Sequence, residues 1–126
     1  MYIILHIQFS NEDKTLSHRG KYIIRNNKNK QIGNLTYIFF ENNSPQYMML
    51  SDIIFEKEYR NIGLGSMTLD LFETRAKSYG AHYITGDLSP VDEEKSADEE
   101  LRNNFYLKRG YKIINSGKIY KSLNSN

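Results

Sequence analysis

The sequence predicts an α+β fold: a mixed, mostly antiparallel sheet of six to seven strands with two main helices. Two observations carry this expectation. Short apolar and β-branched runs recur between turns rich in Asn, Ser, Gly and Pro, the signature of strands. Two stretches without Gly or Pro carry helical spacing instead, one after the fourth run and one after the fifth. The 126 residues are expected to form one domain, 1–126, with no linker, repeat or low-complexity tract. That length can bury a core without disulfides or metals.

The elements follow in order. Residues 2–9 form a first strand, with Ile3, Leu5, Ile7 and Phe9 on one face and His6 on the other, at the periphery. Residues 10–19 are polar loop or a single weak turn. Lys21 to Arg25 is a second strand, and Asn26 to Lys30 a hairpin turn, because Asn tolerates positive φ. Ile32 to Phe40 and Tyr47 to Phe55 are the third and fourth strands, the latter apolar enough to be central. Ser66 to Tyr79 is a helix, with Leu64, Met67, Leu71, Arg75 and Tyr79 near one face and Gly80 as its stop. Tyr83 to Leu88 is a fifth strand. Ser96-Ala97-Asp98-Glu99 has the capping-box form and opens a second helix, with Leu101 and Phe105 apolar and Gly110 ending it. Residues 111–115 and 118–123 are two short strands around a Ser116-Gly117 turn.

Composition excludes several chemistries. There is no cysteine, so disulfides, zinc–cysteine sites and a cysteine nucleophile are out. His6, His18 and His82 show no metal-ligand spacing, and no metal is expected. Seventeen basic residues against fifteen acidic leave a net charge of +2. That balance argues against nucleic acid as the partner, although Lys21, Arg25, Lys28 and Lys30 would be the residues to carry such a role. No run approaches the length of a membrane span, and the apolar N-terminus lacks the features of a signal peptide, so a cytoplasmic protein is the expectation.

The segment from Phe55 to Ser66 is the most informative. It passes from an apolar strand through Arg60-Asn61-Ile62-Gly63-Leu64-Gly65 into a helix. Glycines there let backbone approach a ligand closely. The first helical N–H groups have no intrahelical partner and sit at the positive end of the dipole, which suits a phosphate or pyrophosphate. Arg60 can add a charged hydrogen bond. A P-loop would need Lys after the second glycine, and a dinucleotide fingerprint a third glycine. A tight strand-to-helix turn without a ligand would use the same two glycines.

The stretch Glu58 to Ser66 resembles the acetyl-CoA signature of the GNAT superfamily of N-acetyltransferases, Arg/Gln-x-x-Gly-x-Gly/Ala after a central strand. Asn104-Phe105-Tyr106-Leu107-Lys108-Arg109-Gly110-Tyr111 resembles that family's downstream Phe-Tyr-x-x-x-Gly-Phe/Tyr segment. The resemblance covers roughly residues 20 to 122 and implies a cytoplasmic, acetyl-CoA-dependent transferase acting on a primary amine in a ternary complex. It implies that backbone N–H groups of Asn61, Ile62, Gly63, Leu64, Gly65 and Ser66 hold the pyrophosphate. The fourth strand, ending near Phe55, would part from its parallel neighbour, the fifth strand around Ile84, to admit pantetheine.

Tyr106 takes the place of the family's general acid. A tyrosine of pKa about 10 can protonate a departing thiolate; packing beside Phe105 is the plainer role. Asp52 is the candidate base, because an acid in an apolar strand is costly unless paired or exposed in a cleft. Glu56 is the alternative, and a structural hydrogen bond the plainer role for Asp52. The family's upstream Asn is replaced here, with Asn103 or Asn104 as a substitute or as surface. The family's usual helices after the first strand are expected to be missing or reduced. An open acceptor site, a large acceptor or a homodimer partner that completes the site would follow. The acidic residues 92–94 and 98–100 read as solvated surface, or as attraction for a cationic amine. An acyl-CoA-binding sensor with weak catalysis is the competing reading.

Overall fold

The protein is described by a computed structural model over residues 2–9, 18–87, 96–114 and 117–123. Strands are β1 (Ile3–Phe9), β2 (His18–Arg25), β3 (Gln31–Phe40), β4 (Tyr47–Phe55), β5 (Tyr83–Asp87), β6 (Lys112–Ile114) and β7 (Lys118–Ser122). Helices are α1 (Leu64–Ser78) and α2 (Ser96–Lys108), and a 3₁₀ turn spans Lys57–Tyr59. The expected α+β fold is therefore present as a seven-stranded sheet in the order β1-β2-β3-β4-β5-β7-β6. All neighbours are antiparallel except β4 and β5, which run parallel because α1 carries the chain back between them.

The β2–β3 turn forms as its asparagines predict. Lys28 N and Lys30 N donate to Asn26 Oδ1 at 2.9 and 3.0 Å, and Asn29 takes φ 65°. Asn26 Nδ2 also donates to Tyr59 Oη at 3.1 Å, tying this hairpin to the 3₁₀ turn after β4.

Both helices pack on one face of the sheet. Leu69, Phe72 and Ala76 of α1 and Tyr106 of α2 share a core with Tyr22, Leu35, Tyr37, Phe39, Met48, Leu50, Ile84 and Ile119. Registers Ile3↔Arg25, Leu5↔Ile23 and Ile7↔Lys21 put Ile3, Leu5 and Ile7 on the opposite face, where they are exposed. His6 turns inward, against the expectation of a peripheral residue. It stacks on Tyr22 and Tyr37 and shares a 2.6 Å hydrogen bond with the Tyr37 hydroxyl. Period-two patterning identified the two faces of β1 but not which one meets the helices; a neutral imidazole among aromatic rings settles it.

The helix faces also differ from expectation. The buried stripe of α1 is Leu64, Thr68, Leu69, Phe72, Glu73 and Ala76, while Met67 is exposed. Burial of Glu73 is what the apolar count missed. Its Oε1 accepts from Lys121 Nζ at 2.6 Å and its Oε2 from the Tyr111 hydroxyl at 3.0 Å. In α2, Leu101 faces outward and Tyr106 joins the core. Residues 10–17, where helices were expected to be missing, and the acidic residues 92–94 lie outside the described residues. No helix among the described residues is long and apolar enough to cross a membrane.

Candidate active site

The parallel pair is short. Only Tyr47↔Tyr83, Met48↔Ile84 and Met49↔Thr85 are in register, and β4 continues through Leu50–Phe55 without a partner in β5. The two strands part just past Leu50. A Cβ on Gly86 would lie 2.7 Å from the Leu50 carbonyl oxygen, so the residue at the fork must be glycine. On the other side of β4, Tyr37 pairs with Leu50 and Thr36 with Asp52. Ser51 is thus the extra residue of a β-bulge, which re-aims the strand beside the fork.

The fork opens into a cleft of about 630 Å³. Leu50, Ser51 and Asp52 of β4 line the cleft, as do Asp87 of β5 and Ile119 of β7. The mouth is made by the turn that leads into α1. Asn61 and Gly63 there have φ of 62° and 91°, and a Cβ on Gly63 would meet no atom within 4 Å. No side chain caps α1, so its first N–H groups are free to meet an anion. Arg60 Nε donates to Phe55 O at 2.9 Å, which anchors its guanidinium at the same turn.

The structure places the expected site residues as follows. Asp52, Phe55, Arg60, Asn61, Gly63, Gly65, Ser66 and Tyr106 all border the cleft. Ile62 projects into solvent, and the Leu64 side chain packs inward with Ile24, Ile32 and Phe55, leaving only backbone of these two for a ligand. Asn104, rather than Asn103, borders the cleft; Asn103 Oδ1 is buried without a hydrogen-bond partner. Glu56 pairs with Lys30 at 3.2 Å.

Tyr106 is 4% exposed, and its hydroxyl is pushed up to about 12 by burial. The charge of Arg102 opposes that rise and the charge of Asp52 adds to it. The hydroxyl is therefore a proton donor at neutral pH. Asp52 itself is exposed, as its bulge position allows.

Sequence reasoning passed over Ser51, Gly86, Asp87 and Arg109. Gly86 inside a strand was the readable signal of a close backbone approach. Phe105 and Arg109, four apart across the end of α2, signalled a side-chain pair; the Arg109 guanidinium lies 4.9 Å from the Phe105 ring centroid.

The comparisons with known proteins agree with this fold. A family model described as acetyltransferase (GNAT) family matches residues 4–111. No curated protein sequence matches the chain. Among solved structures, a Klebsiella pneumoniae protein described as an acyl-CoA N-acyltransferase superposes with TM-score 0.69 at 14% identity, covering 98% of this chain and 99% of that one. A GNAT-family acetyltransferase from Staphylococcus aureus gives TM-score 0.67 at 21% identity, covering 84% and 68%. An aminoglycoside 6'-N-acetyltransferase complexed with coenzyme A gives 0.60 at 16%, covering 86% and 74%. At these identities the structures establish the fold they share with this chain.

Proposed function

The chain belongs to the acetyltransferase (GNAT) family, and on that premise we propose that it transfers the acetyl group of acetyl-CoA to a primary amine, with both substrates bound together. The observation that carries this reading is the fork between β4 and β5. It opens beside a glycine turn at an uncapped helix N-terminus, with Tyr106 bordering the same cleft.

Acetyl-CoA supplies the acetyl group as a thioester. The backbone N–H groups from Asn61 to Ser66, with Arg60, bind its pyrophosphate. The open space at Gly63 fits that role, because it lets phosphate oxygens approach the backbone. The unpartnered edge of β4 past Met49 orients the pantetheine arm. Tyr106 holds a proton at its hydroxyl for the departing sulfur, and Asp52 takes the proton the amine must lose. Positioning two reactants in one cleft provides much of the rate.

The acceptor is a primary amine of unassigned size. A homodimer belongs to the same reading, supported by the exposed Ile3, Leu5, Ile7 and Ile54 on the sheet face away from the helices.

Calorimetric titration with acetyl-CoA tests the donor site. Micromolar binding that a Gly63→Asp, Gly65→Asp double variant loses is the expected result. A folded wild type that does not bind acetyl-CoA overturns the proposal. Turnover with amine acceptors then separates a transferase from a module that only binds acyl-CoA.

A further inference from the structure

Arg109 follows the last residue of α2 and borders the cleft. Its guanidinium carbon lies 4.9 Å from the Phe105 ring centroid. The edge of the same ring comes within 3.5 Å of the Cβ position at Gly65. Guanidinium, ring and first turn of α1 are thus stacked at the mouth of the cleft. The backbone beneath this stack is braced twice. Arg109 N donates to Tyr106 O at 3.1 Å, and Arg109 O accepts from Lys121 Nζ at 2.7 Å.

The held cation has no carboxylate partner among the described residues, and its Nε is buried without a hydrogen bond. Burial of Nε fixes the base of the side chain, so an anion in the cleft would meet the terminal guanidinium nitrogens instead, and pairing there would offset the charge the cleft wall carries. That anion is not the group expected at the α1 turn. Arg60 is anchored at the turn through Phe55 O, whereas Arg109 stands off from it by the Phe105 ring. Two arginines held apart in this way suit two separate phosphates of one ligand.

We propose that Arg109 binds the phosphate monoester on the ribose of coenzyme A, and so makes the chain prefer coenzyme A to its 3'-dephospho form. The inference rests on the proposed use of acetyl-CoA. A guanidinium held over an aromatic ring can present two N–H donors to one dianionic phosphate. Lys108, also at the cleft edge, is exposed and adds only unspecific attraction.

The test is a titration of coenzyme A and 3'-dephospho-coenzyme A into wild type, Arg109→Met and Arg109→Lys. Methionine keeps an apolar stem against Phe105; lysine keeps charge without the fork. Wild type should bind coenzyme A on the order of tenfold more tightly than the dephospho form. Arg109→Met should bind both alike, at the wild-type affinity for the dephospho form, and Arg109→Lys should keep a reduced preference. Melting curves check that the variants are folded, and if the methionine variant is not, the lysine variant carries the comparison. A wild type that binds both ligands equally overturns the proposal while leaving the turn's role standing, and so does an Arg109→Met variant that weakens both by the same factor. A folded wild type that binds neither ligand removes the proposed function itself.

Discussion

Tyr106 packs in the core and, under the proposed mechanism, also donates a proton, two roles that the sequence reading set against each other. It is 4% exposed and part of the core, yet the residue borders the cleft. Burial pushes its pKa up to about 12, so it remains a proton donor throughout the physiological range. Tyr106→Phe preserves the packing and removes the proton. We expect kcat to fall about a hundredfold with acetyl-CoA affinity nearly unchanged; a kcat within twofold of wild type would leave Tyr106 a packing residue. The same burial makes a stability prediction. Tyr37 and Tyr106 are each raised to about 12, and Tyr22 and Tyr111 are raised further, all chiefly by burial. A folded pKa above the unfolded value of about 10 means full stability below pH 10 and progressive loss as pH rises toward 12. Melting temperature followed from pH 8 to 12 should be flat to about 10 and then drop.

At the scale of elements, the fork and the α1–α2 brace position the site, and each can be broken separately. Gly86→Ala would drive a methyl group into the Leu50 carbonyl. We expect a cost of about 1–3 kcal/mol and a rise in the KM for acetyl-CoA, read by urea unfolding and steady-state kinetics. The brace joins α1, the end of α2 and β7 through Glu73, Tyr111, Lys121 and Arg109 O. Tyr111→Phe leaves Glu73 its lysine and should cost about 1 kcal/mol. Lys121→Met leaves a buried carboxylate without its cation and should cost about 3 kcal/mol or more. Equal costs would mean that the ion pair contributes no more than the hydroxyl. These elements were unequally legible. Strands with turn residues at both ends, and the glycine turn, could be read because local chemistry dictates them. The Ser51 bulge and the burial of Glu73 could not, because each depends on a partner far along the chain: Thr36 and Tyr37 in β3 for the bulge, Tyr111 and Lys121 for the carboxylate.

For the whole molecule, the sheet has two apolar faces, and the described helices cover one. Element order made the fold class readable, and the resemblance to the GNAT superfamily supplied the parallel fourth and fifth strands and their parting. What order could not give was the side each strand turns to the helices, which is why β1 was read with His6 at the periphery. On the other face, Phe40, Tyr47, Tyr83 and Tyr120 stack in a row across β3, β4, β5 and β7, with centroids 4.6, 4.9 and 5.2 Å apart. Apart from that row, with Lys21 and Thr36 between, the edge strand β1 presents Leu5 and Ile7 on the same face, 40% and 38% exposed. Exposed apolar surface of this kind favours association, and a second copy could cover it through the same residues. We therefore expect sedimentation at micromolar concentration to give twice the 14.8 kDa chain mass. Leu5→Lys with Ile7→Lys should return the monomer without altering acetyl-CoA binding, because both side chains project from the face opposite the helices. A monomeric wild type would show that this face does not serve self-association. A lysine variant that dissociates and also loses turnover, while still binding acetyl-CoA, would place the amine acceptor's site partly on the second copy.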